Sequence, residues 1–454
     1  MPSATAPQGE PLQVAIIGAG IAGLTLALGL LPRKIPFTIY ERAPSFREIG
    51  AGIGFSPNSE RAMGSLSPET LSAFKNAANP NGEDYFQWAY GYGEDKLLFK
   101  LHVGKDGFQG SRRSDILEAW AKLIPSAKIQ FGKELSTVTD NLSSGPVQLT
   151  FKDGTSATAS AVIGCDGIRS RVRHHVLSPP DKLESQIPPP LSINPGYTQK
   201  FCFRSLVPMP QAISSIGEYK ASRRFMYNGP GAHVITYPVA FNTFLNVLVV
   251  ISDPNPTWPP SHSCESSTSS SHSHTLPNCP KSEAVSAFRG WNQTVRSIID
   301  LLPDTLEKWA IFDMADHPAP TYTKGRVALA GDAAHATGPH LGSGGGLGVE
   351  DALCLSGLLE AVKQQQQQQQ LESGNGNEAG LVEKALAAYN HVRYERTQWV
   401  VRATREAVDL FHWTNPKGKD PTEFGKEITK RFHKIWLYDV DEMVHVAVNE
   451  FKKQ

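Results

Sequence analysis

The sequence has no excess of charge of either sign. Lys plus Arg and Asp plus Glu are each 44 in 454 residues, so the formal net charge is zero. Without a global basic field, neither nucleic acid nor an acidic membrane surface is an expected partner. Cysteine is scarce. Cys165, Cys202, Cys264, Cys279 and Cys354 are odd in number and scattered, which argues against a disulfide framework and suits a reducing compartment. The opening MPSATAPQGEPLQ has no basic segment followed by an apolar one, so no secretory signal is expected. No spanning segment is expected near the C-terminal end either. Residues 14–31 are uncharged and long enough to span on length alone. Three glycines at the start of that run, and a strand-like continuation ending in an acid, fit a soluble unit better. The expectation is a soluble, cytoplasmic chain. No metal is expected: His262, Cys264, His272, His274 and Cys279 match no firm zinc spacing and sit where apolar residues are few.

Glycine is present in quantity, and its placement is informative. Residues 14–17, VAII, read as a buried strand. Gly18, Gly20 and Gly23 follow at the G-x-G-x-x-G spacing. The first allows a sharp turn, the second lets backbone approach a pyrophosphate, and the third lets the next helix pack close to the strand. A helix N-terminus offers N–H groups and a partial positive charge to phosphate. Glu41 ends the next β-like run, about 20 residues on, where an acid can take the hydroxyls of an adenosine ribose. A dinucleotide site is expected, with NAD or FAD left open by this stretch alone. A second glycine cluster, Gly50, Gly52 and Gly54, marks backbone brought against something bulky, or a surface loop.

Further along, residues 112–123 read as a helix with an apolar stripe, and Arg112 and Arg113 lie at its N-terminal end. Short strands are expected over 128–163, with a hairpin turn at 152–155. They lead to the buried run 161–163 and then to Gly164-Cys165-Asp166-Gly167. Residues 178–196 are proline-rich and read as a boundary. Beyond them 200–206, 232–239 and 244–251 read as strands. Residues 254–282 read as a disordered insertion and 283–310 as helical. Another strand, 326–330, ends in Gly331-Asp332. The glycines 342 and 344–346 and a helix from about Leu347 follow. A polyglutamine run at 364–370 reads as a surface insertion, 381–412 as one long helix, and the tail from 424 as amphipathic helix, either a packing lid or an oligomer contact. Arg169, Arg171, Arg173, His174 and His175 form a basic cluster, phosphate-facing or simply solvated.

Three glycine–acid signals therefore occur in one chain, and Asp332 could accept hydrogen bonds from hydroxyls on a cofactor chain. One dehydrogenase nucleotide site needs only the first signal. With GAGIAGL, GCDGIRSRVR and GRVALAGDAAHATGPHLGSGGGLGVEDAL in that order, the sequence resembles the FAD-dependent aromatic hydroxylases (group A flavoprotein monooxygenases of the salicylate and para-hydroxybenzoate hydroxylase type). The resemblance runs from about residue 12 to about residue 400. FCFRSL with HVITYPVA, and KIWLYDVDEM, are similar to fungal relatives acting on phenolic polyketides and dearomatising resorcinol-type aldehydes. One departure is the run 342–346, where bacterial salicylate hydroxylases tend to read G-A-G-A or similar. The extra glycine is expected to add backbone freedom beside the cofactor ring.

The resemblance implies an α/β fold: a Rossmann-like FAD-binding domain interleaved with a β-sheet substrate domain, plus a helical C-terminal region. It implies FAD-binding parts at 11–180 and 311–395, a substrate domain at 185–310, and the C-terminal region at 396–454. It implies that Glu41 holds the adenosine ribose, Gly54 lines the FAD chain and Arg113 meets the pyrophosphate. Asp332 would hold the ribityl hydroxyls, Gly345 would lie near the flavin ring, and Asp166 would help hold FAD and shape the place where NADH or NADPH docks. Reduced flavin would take O2 to a hydroperoxide at ring carbon C4a, which attacks an electron-rich ring. A phenolate is the better nucleophile, so the site needs a cation or donor that favours the anion. Arg204, which alternation places opposite Phe203, and Tyr237 are the catalytic candidates. On residues alone they read as a surface ion-pair arginine and a core tyrosine; the resemblance favours catalysis. His317, His335 and His340 are secondary candidates, and His102 has no positional argument. The expected function is hydroxylation of a phenolic substrate in fungal polyketide metabolism. Decarboxylating hydroxylation, dearomatisation, or an FAD protein without oxygenase activity are the alternatives.

Overall fold

A computed structural model gives the structure and describes residues 12–46, 52–79, 84–104, 107–141, 145–178, 191–255, 257–258, 274–373 and 377–453. Gly50 and His262, Cys264 and His272 lie outside these residues.

The apolar run at 14–17 forms the fully buried strand Val14–Ile17 inside a six-stranded sheet. Its order is Thr323–Lys324, Val327–Leu329, Ala161–Gly164, Val14–Ile17, Phe37–Glu41, Ile129–Phe131. The last five are parallel, and the first pairs antiparallel. A parallel sheet is covered on both faces, so its strands read as continuous apolar runs. Register matters for function. Ile17 pairs with Gly164, and Gly164 with Leu329. All three glycine–acid signals thus leave the sheet side by side at the carboxyl ends of adjacent strands, where open α/β sheets bind ligands.

The helix Ile21–Leu30 is apolar on every side and buried at every position from Ala22 onward, as such a helix must be. At Gly29 an added Cβ would lie 2.9 Å from Ser356 Oγ, so the long helix Gly344–Ser373 crosses close by.

The expected strands at 200–206, 232–239 and 244–251 are Gly196–Pro208, Ala232–Val239 and Phe244–Ser252. They sit inside an eight-stranded sheet in the order Thr275–Pro280, Thr305–Asp313, Gly196–Pro208, Phe244–Ser252, Ala232–Val239, Phe225–Gly229, Tyr85–Tyr90, Leu97–His102. Strand alternation gives it two apolar faces. Phe203, Val234, Val247 and Val249 pack against the helices Met209–Ile216 and Gln293–Asp300. Cys202, Met226, Ile235 and Leu248 face Phe424 and Phe432 of the helix Pro421–Trp436.

Several expectations need correction. Thr305–Asp313 is a strand, not helix; its Leu306, Lys308, Ile311 and Asp313 are buried while Thr305 at its start is exposed. Helix over 283–310 is confined to Ser282–Ala287 and Gln293–Asp300. Thr275–Pro280 falls in the stretch read as disordered, yet it pairs antiparallel with Thr305–Asp313 because Leu276 and Cys279 both find core. The glutamines 364–370 continue the helix Gly344–Ser373, with Gln366 buried. Glutamine is a good helix former, and the run simply extends a helix already nucleated by packing. The tail is two helices, Pro421–Trp436 and Val440–Lys453.

Candidate active site

A cavity of about 790 Å³ opens between the carboxyl ends of the parallel strands and one face of the eight-stranded sheet. Gly20, Gly54, Arg113, Asp332, Gly345, Arg204 and Tyr237 all line it. Gly18, Gly23, Glu41 and Asp166 do not, and each has a visible local task.

Gly18 has φ +101°, and an added Cβ would stand 2.5 Å from the Cys165 carbonyl oxygen. A Cβ on Gly23 would collide with the Gly18 carbonyl oxygen. Both glycines are therefore obligatory for the turn. Glu41 accepts hydrogen bonds from the backbone N–H of Ala19 and of Ala43, each 2.8 Å. Its carboxylate braces the glycine turn, with lone pairs to spare for a further donor. Asp166 accepts from Ser170 Oγ at 2.5 Å and from the N–H of Arg171 at 2.6 Å. It caps the helix Arg171–Leu177 rather than facing the cavity. Burial raises its pKa, and the Ser170 hydroxyl works against that.

The basic cluster beyond it is not phosphate-facing at its centre. Arg173 is fully buried and donates to the carbonyls of Ala333 and Ala334, 2.9 and 3.0 Å away. It thereby holds the short helix Asp332–His335 from behind. A second brace comes from Asp351, which accepts the Gly331 N–H at 2.8 Å and contacts His335 Nε2 at 2.6 Å. Asp351 in turn accepts from Arg393 Nε at 2.8 Å, and Arg393 also pairs with Glu350. Burial pushes Asp351 up, but His335 and Arg393 together hold its carboxylate below the usual range. His335 is thus a buried structural partner. His317 Nδ1 pairs with the Asn194 carbonyl, 3.1 Å away. Only His340 of the three candidate histidines lines the cavity.

These braces leave Asp332 itself exposed on the cavity wall at the carboxyl end of its strand. Opposite it, the helix Ile21–Leu30 begins at Gly20 with no side-chain cap, so its first N–H groups face the cavity available to an anion. Arg113 Nη2 lies 3.8 Å from where a Gly20 Cβ would be. An elongated cavity with an uncapped helix start and a cation at one place, and an open carboxylate at another, fits a pyrophosphate flanked by a polyhydroxylated chain. Gly346 explains the glycine run differently from the expectation. Its Cβ would collide with Ser59 Oγ of the helix Pro57–Leu66. The extra glycine serves close helix packing, not freedom.

The other wall is the sheet face. Arg204 pairs in register with Leu248, and Tyr237 with Asn246; the fully buried Phe203 points to the opposite core, as alternation requires. The Arg204 guanidinium stands 5.2 Å over the Trp309 ring. Burial pushes the Tyr237 hydroxyl up to about 12, opposed by Arg204 and Arg224. The sequence reading missed Arg224, Asn246 and Phe108. Arg224 is buried, 5.3 Å over the Phe108 ring. Asn246 is buried and accepts the Gly52 N–H at 3.1 Å. An asparagine inside the apolar run FLNVLVVI was a signal available in the sequence; Arg224, just before a strand, offered none.

A family model described as an FAD binding domain matches residues 11–183 and 288–388. The chain belongs to this FAD-binding family. It is 44% identical to the FAD-dependent monooxygenase pigN of Monascus ruber over the full length of both chains. It is 39% identical to the salicylate hydroxylase asL1 of Sarocladium schorii, covering 98% of this chain and 92% of that one. Among solved structures, a salicylate hydroxylase in a substrate complex superposes with a TM-score of 0.78 at 27% identity, covering 97% of this chain and 98% of that chain. CtdE in complex with FAD and a substrate, at 18% identity, covers 97% of this chain and 98% of that chain, and its TM-score of 0.74 attests the fold. The chain is an FAD-dependent monooxygenase with FAD as cofactor, and the expected α/β architecture with a helical C-terminal region is present. No helix among the described residues is long and apolar enough to cross a membrane.

Proposed function

We propose that this monooxygenase uses NADH or NADPH and O2 to hydroxylate a small phenolic substrate in fungal secondary metabolism. Arg204 and Tyr237 are its catalytic residues. Gly18, Gly20, Gly23, Glu41, Gly54, Arg113, Asp166, Asp332 and Gly345 serve FAD, by direct contact or by shaping the turns that make contact. Bound FAD supplies the redox chemistry and the activation of O2, by the C4a route set out above.

What carries this reading is one juxtaposition: Arg204 and Tyr237 line the same cavity as Asp332 and Gly20. A substrate ring lying against Trp309, Leu248 and Ile235 is close to both. With its hydroxyl pushed up to about 12, Tyr237 is neutral at physiological pH and donates a hydrogen bond to the substrate oxygen. The permanent charge of Arg204 favours the phenolate form of that oxygen. Both effects activate the ring toward an electrophilic oxygen and exclude neither hydroxylation nor dearomatisation. The expected outcome for Arg204→Ala is loss of product by about a hundredfold or more with FAD retained. Normal turnover by the flavin-loaded variant refutes the role.

A second reading is favoured by the same arginine, whose planar fork also suits a carboxylate, and by the name of the Sarocladium schorii relative. In it the substrate is a salicylate- or orsellinate-type acid that loses CO2 as oxygen enters. Trapping CO2 from turnover of phenolic acids separates the two.

A further inference from the structure

The sheet side of the cavity is built in rows, and one residue in them is only half used. Arg204 pairs with Leu248, and Leu248 with Ile235. In the next row Leu206 pairs with Asn246, and Asn246 with Tyr237. All six line the cavity. Asn246 is 5% exposed and interrupts the apolar strand Phe244–Ser252. Directly opposed residues hold their Cβ atoms about 4.5–5.5 Å apart, so the Asn246 amide lies beside the Tyr237 side chain.

The orientation of that amide is set. Its Oδ1 accepts the Gly52 N–H at 3.1 Å, so Nδ2 is the end left for other contacts. A Cβ on Gly52 would lie 2.6 Å from that Oδ1 and 2.7 Å from the Tyr237 hydroxyl oxygen. Both side chains therefore end against the same bare backbone of the strand Gly52–Phe55, on the cavity wall. Among the described residues, neither Asn246 Nδ2 nor the Tyr237 hydroxyl has a hydrogen-bond partner. Tying Gly52 to the sheet needs an acceptor alone. The N–H donors beside it are left over, and buried donors are costly unless they meet an acceptor.

We infer that Asn246 binds the substrate, its Nδ2–H donating to a carbonyl oxygen on the ring carbon next to the one whose oxygen Tyr237 serves. This rests on the phenolic reading above. Two neighbouring donors match two neighbouring oxygens, as an ortho-hydroxy aldehyde, ketone or carboxylate presents them. The contact breaks no bond and moves no proton; it acts on selection. A site with a buried donor penalises a ring that lacks the acceptor, because the donor is then left unmet. The contact also fixes how the ring lies on Leu248 and Ile235, and so which ring carbon is presented for oxygen transfer.

The test measures binding to the oxidised, FAD-loaded enzyme without NAD(P)H, read from the change in flavin absorbance. Resorcinol, which has no carbonyl, is compared with 2,4-dihydroxybenzaldehyde and 2,4-dihydroxybenzoate. The wild type is expected to bind one of the two carbonyl ligands at least about tenfold more tightly than resorcinol. Which of them it prefers separates an acyl phenol from a carboxylated one. Asn246→Asp keeps an oxygen for Gly52 and replaces the donor with an acceptor, whereas Asn246→Ala removes the amide without adding charge. Each is expected to abolish most of the preference by weakening the carbonyl ligand, and each decides alone should the other fail to fold. A preference kept at its wild-type value in either flavin-loaded variant overturns the contact, as does a wild type that binds all three ligands alike; the phenolic reading survives both results. A wild type that binds none of the three refutes that reading, and the contact with it.

Discussion

At the scale of single residues, the site depends on positions where one atom decides the outcome. Gly346 is such a position. A Cβ there would collide with Ser59 Oγ but would lie 3.3 Å from Ser59 Cβ. Gly346→Ala is therefore expected to destabilise by about 1–3 kcal/mol, and adding Ser59→Ala to recover most of the loss. Urea unfolding of the two variants checks this; no recovery in the double variant would show that the strain lies elsewhere. Asp332 is a different kind of position. Its neighbours Gly331, Ala333 and Ala334 are held by Asp351 and Arg173, so its own carboxylate is free to serve the cavity. Asp332→Ala is expected to leave the fold in place and to lose the yellow colour on purification; a fully flavinated variant sinks the assignment. Strand alternation put Arg204 on the face opposite Phe203, but on residues alone Arg204 and Tyr237 read as a surface ion-pair arginine and a core tyrosine, and only the resemblance pointed to catalysis. Arg224 was not legible, because its burial depends on Phe108 and Gly110 arriving from a distant part of the chain.

At the scale of elements, the helix Pro421–Trp436 closes the substrate side. Phe424, Ile428, Phe432 and Trp436 recur every fourth residue and are buried. They form one stripe over Phe86 and Trp88, with Phe432 5.6 Å from the Trp88 ring and also on the cavity wall. The packing-lid reading of the tail describes this helix. Phe432→Ala is expected to cost about 3–5 kcal/mol and to widen the cavity, so that KM for a small phenol rises more than kcat falls. Unchanged urea stability, or a kcat loss without a KM effect, would remove Phe432 from the cavity wall. The elements legible in the sequence were those with unbroken periodicity: the parallel strands, the hairpin at 152–155 and the long helix Glu378–Phe411. Tyr85–Tyr90 and Thr305–Asp313 were missed although each has a partner near in sequence, Leu97–His102 and Thr275–Pro280; their second partners, Phe225–Gly229 and Gly196–Pro208, lie far along the chain. Phe86 and Trp88 do alternate, but a lone run of that length is ambiguous until the eight-stranded sheet supplies its neighbours.

For the whole molecule, the buried histidines couple folding to pH. His233 has a folded pKa of about 3, against 6.5 for the ordinary group, and His340 and His412 are lowered too, by burial and by Lys200. A lowered folded value means that the unfolded chain binds the extra protons. Stability from these groups is therefore fully present above about pH 6.5 and is lost as pH falls below it. With one to three protons taken up on unfolding, the loss is about 1–4 kcal/mol per pH unit. Asp166 and Asp313 act in the opposite sense, since burial raises both, so the raw slope mixes signs. The discriminating measurement is a difference. Urea midpoints of the FAD-loaded wild type should fall between about pH 7 and pH 5, and His233→Gln should flatten that fall by roughly one proton. Parallel curves for the two proteins would mean that His233 titrates in the folded state after all, and that the core around it admits charge.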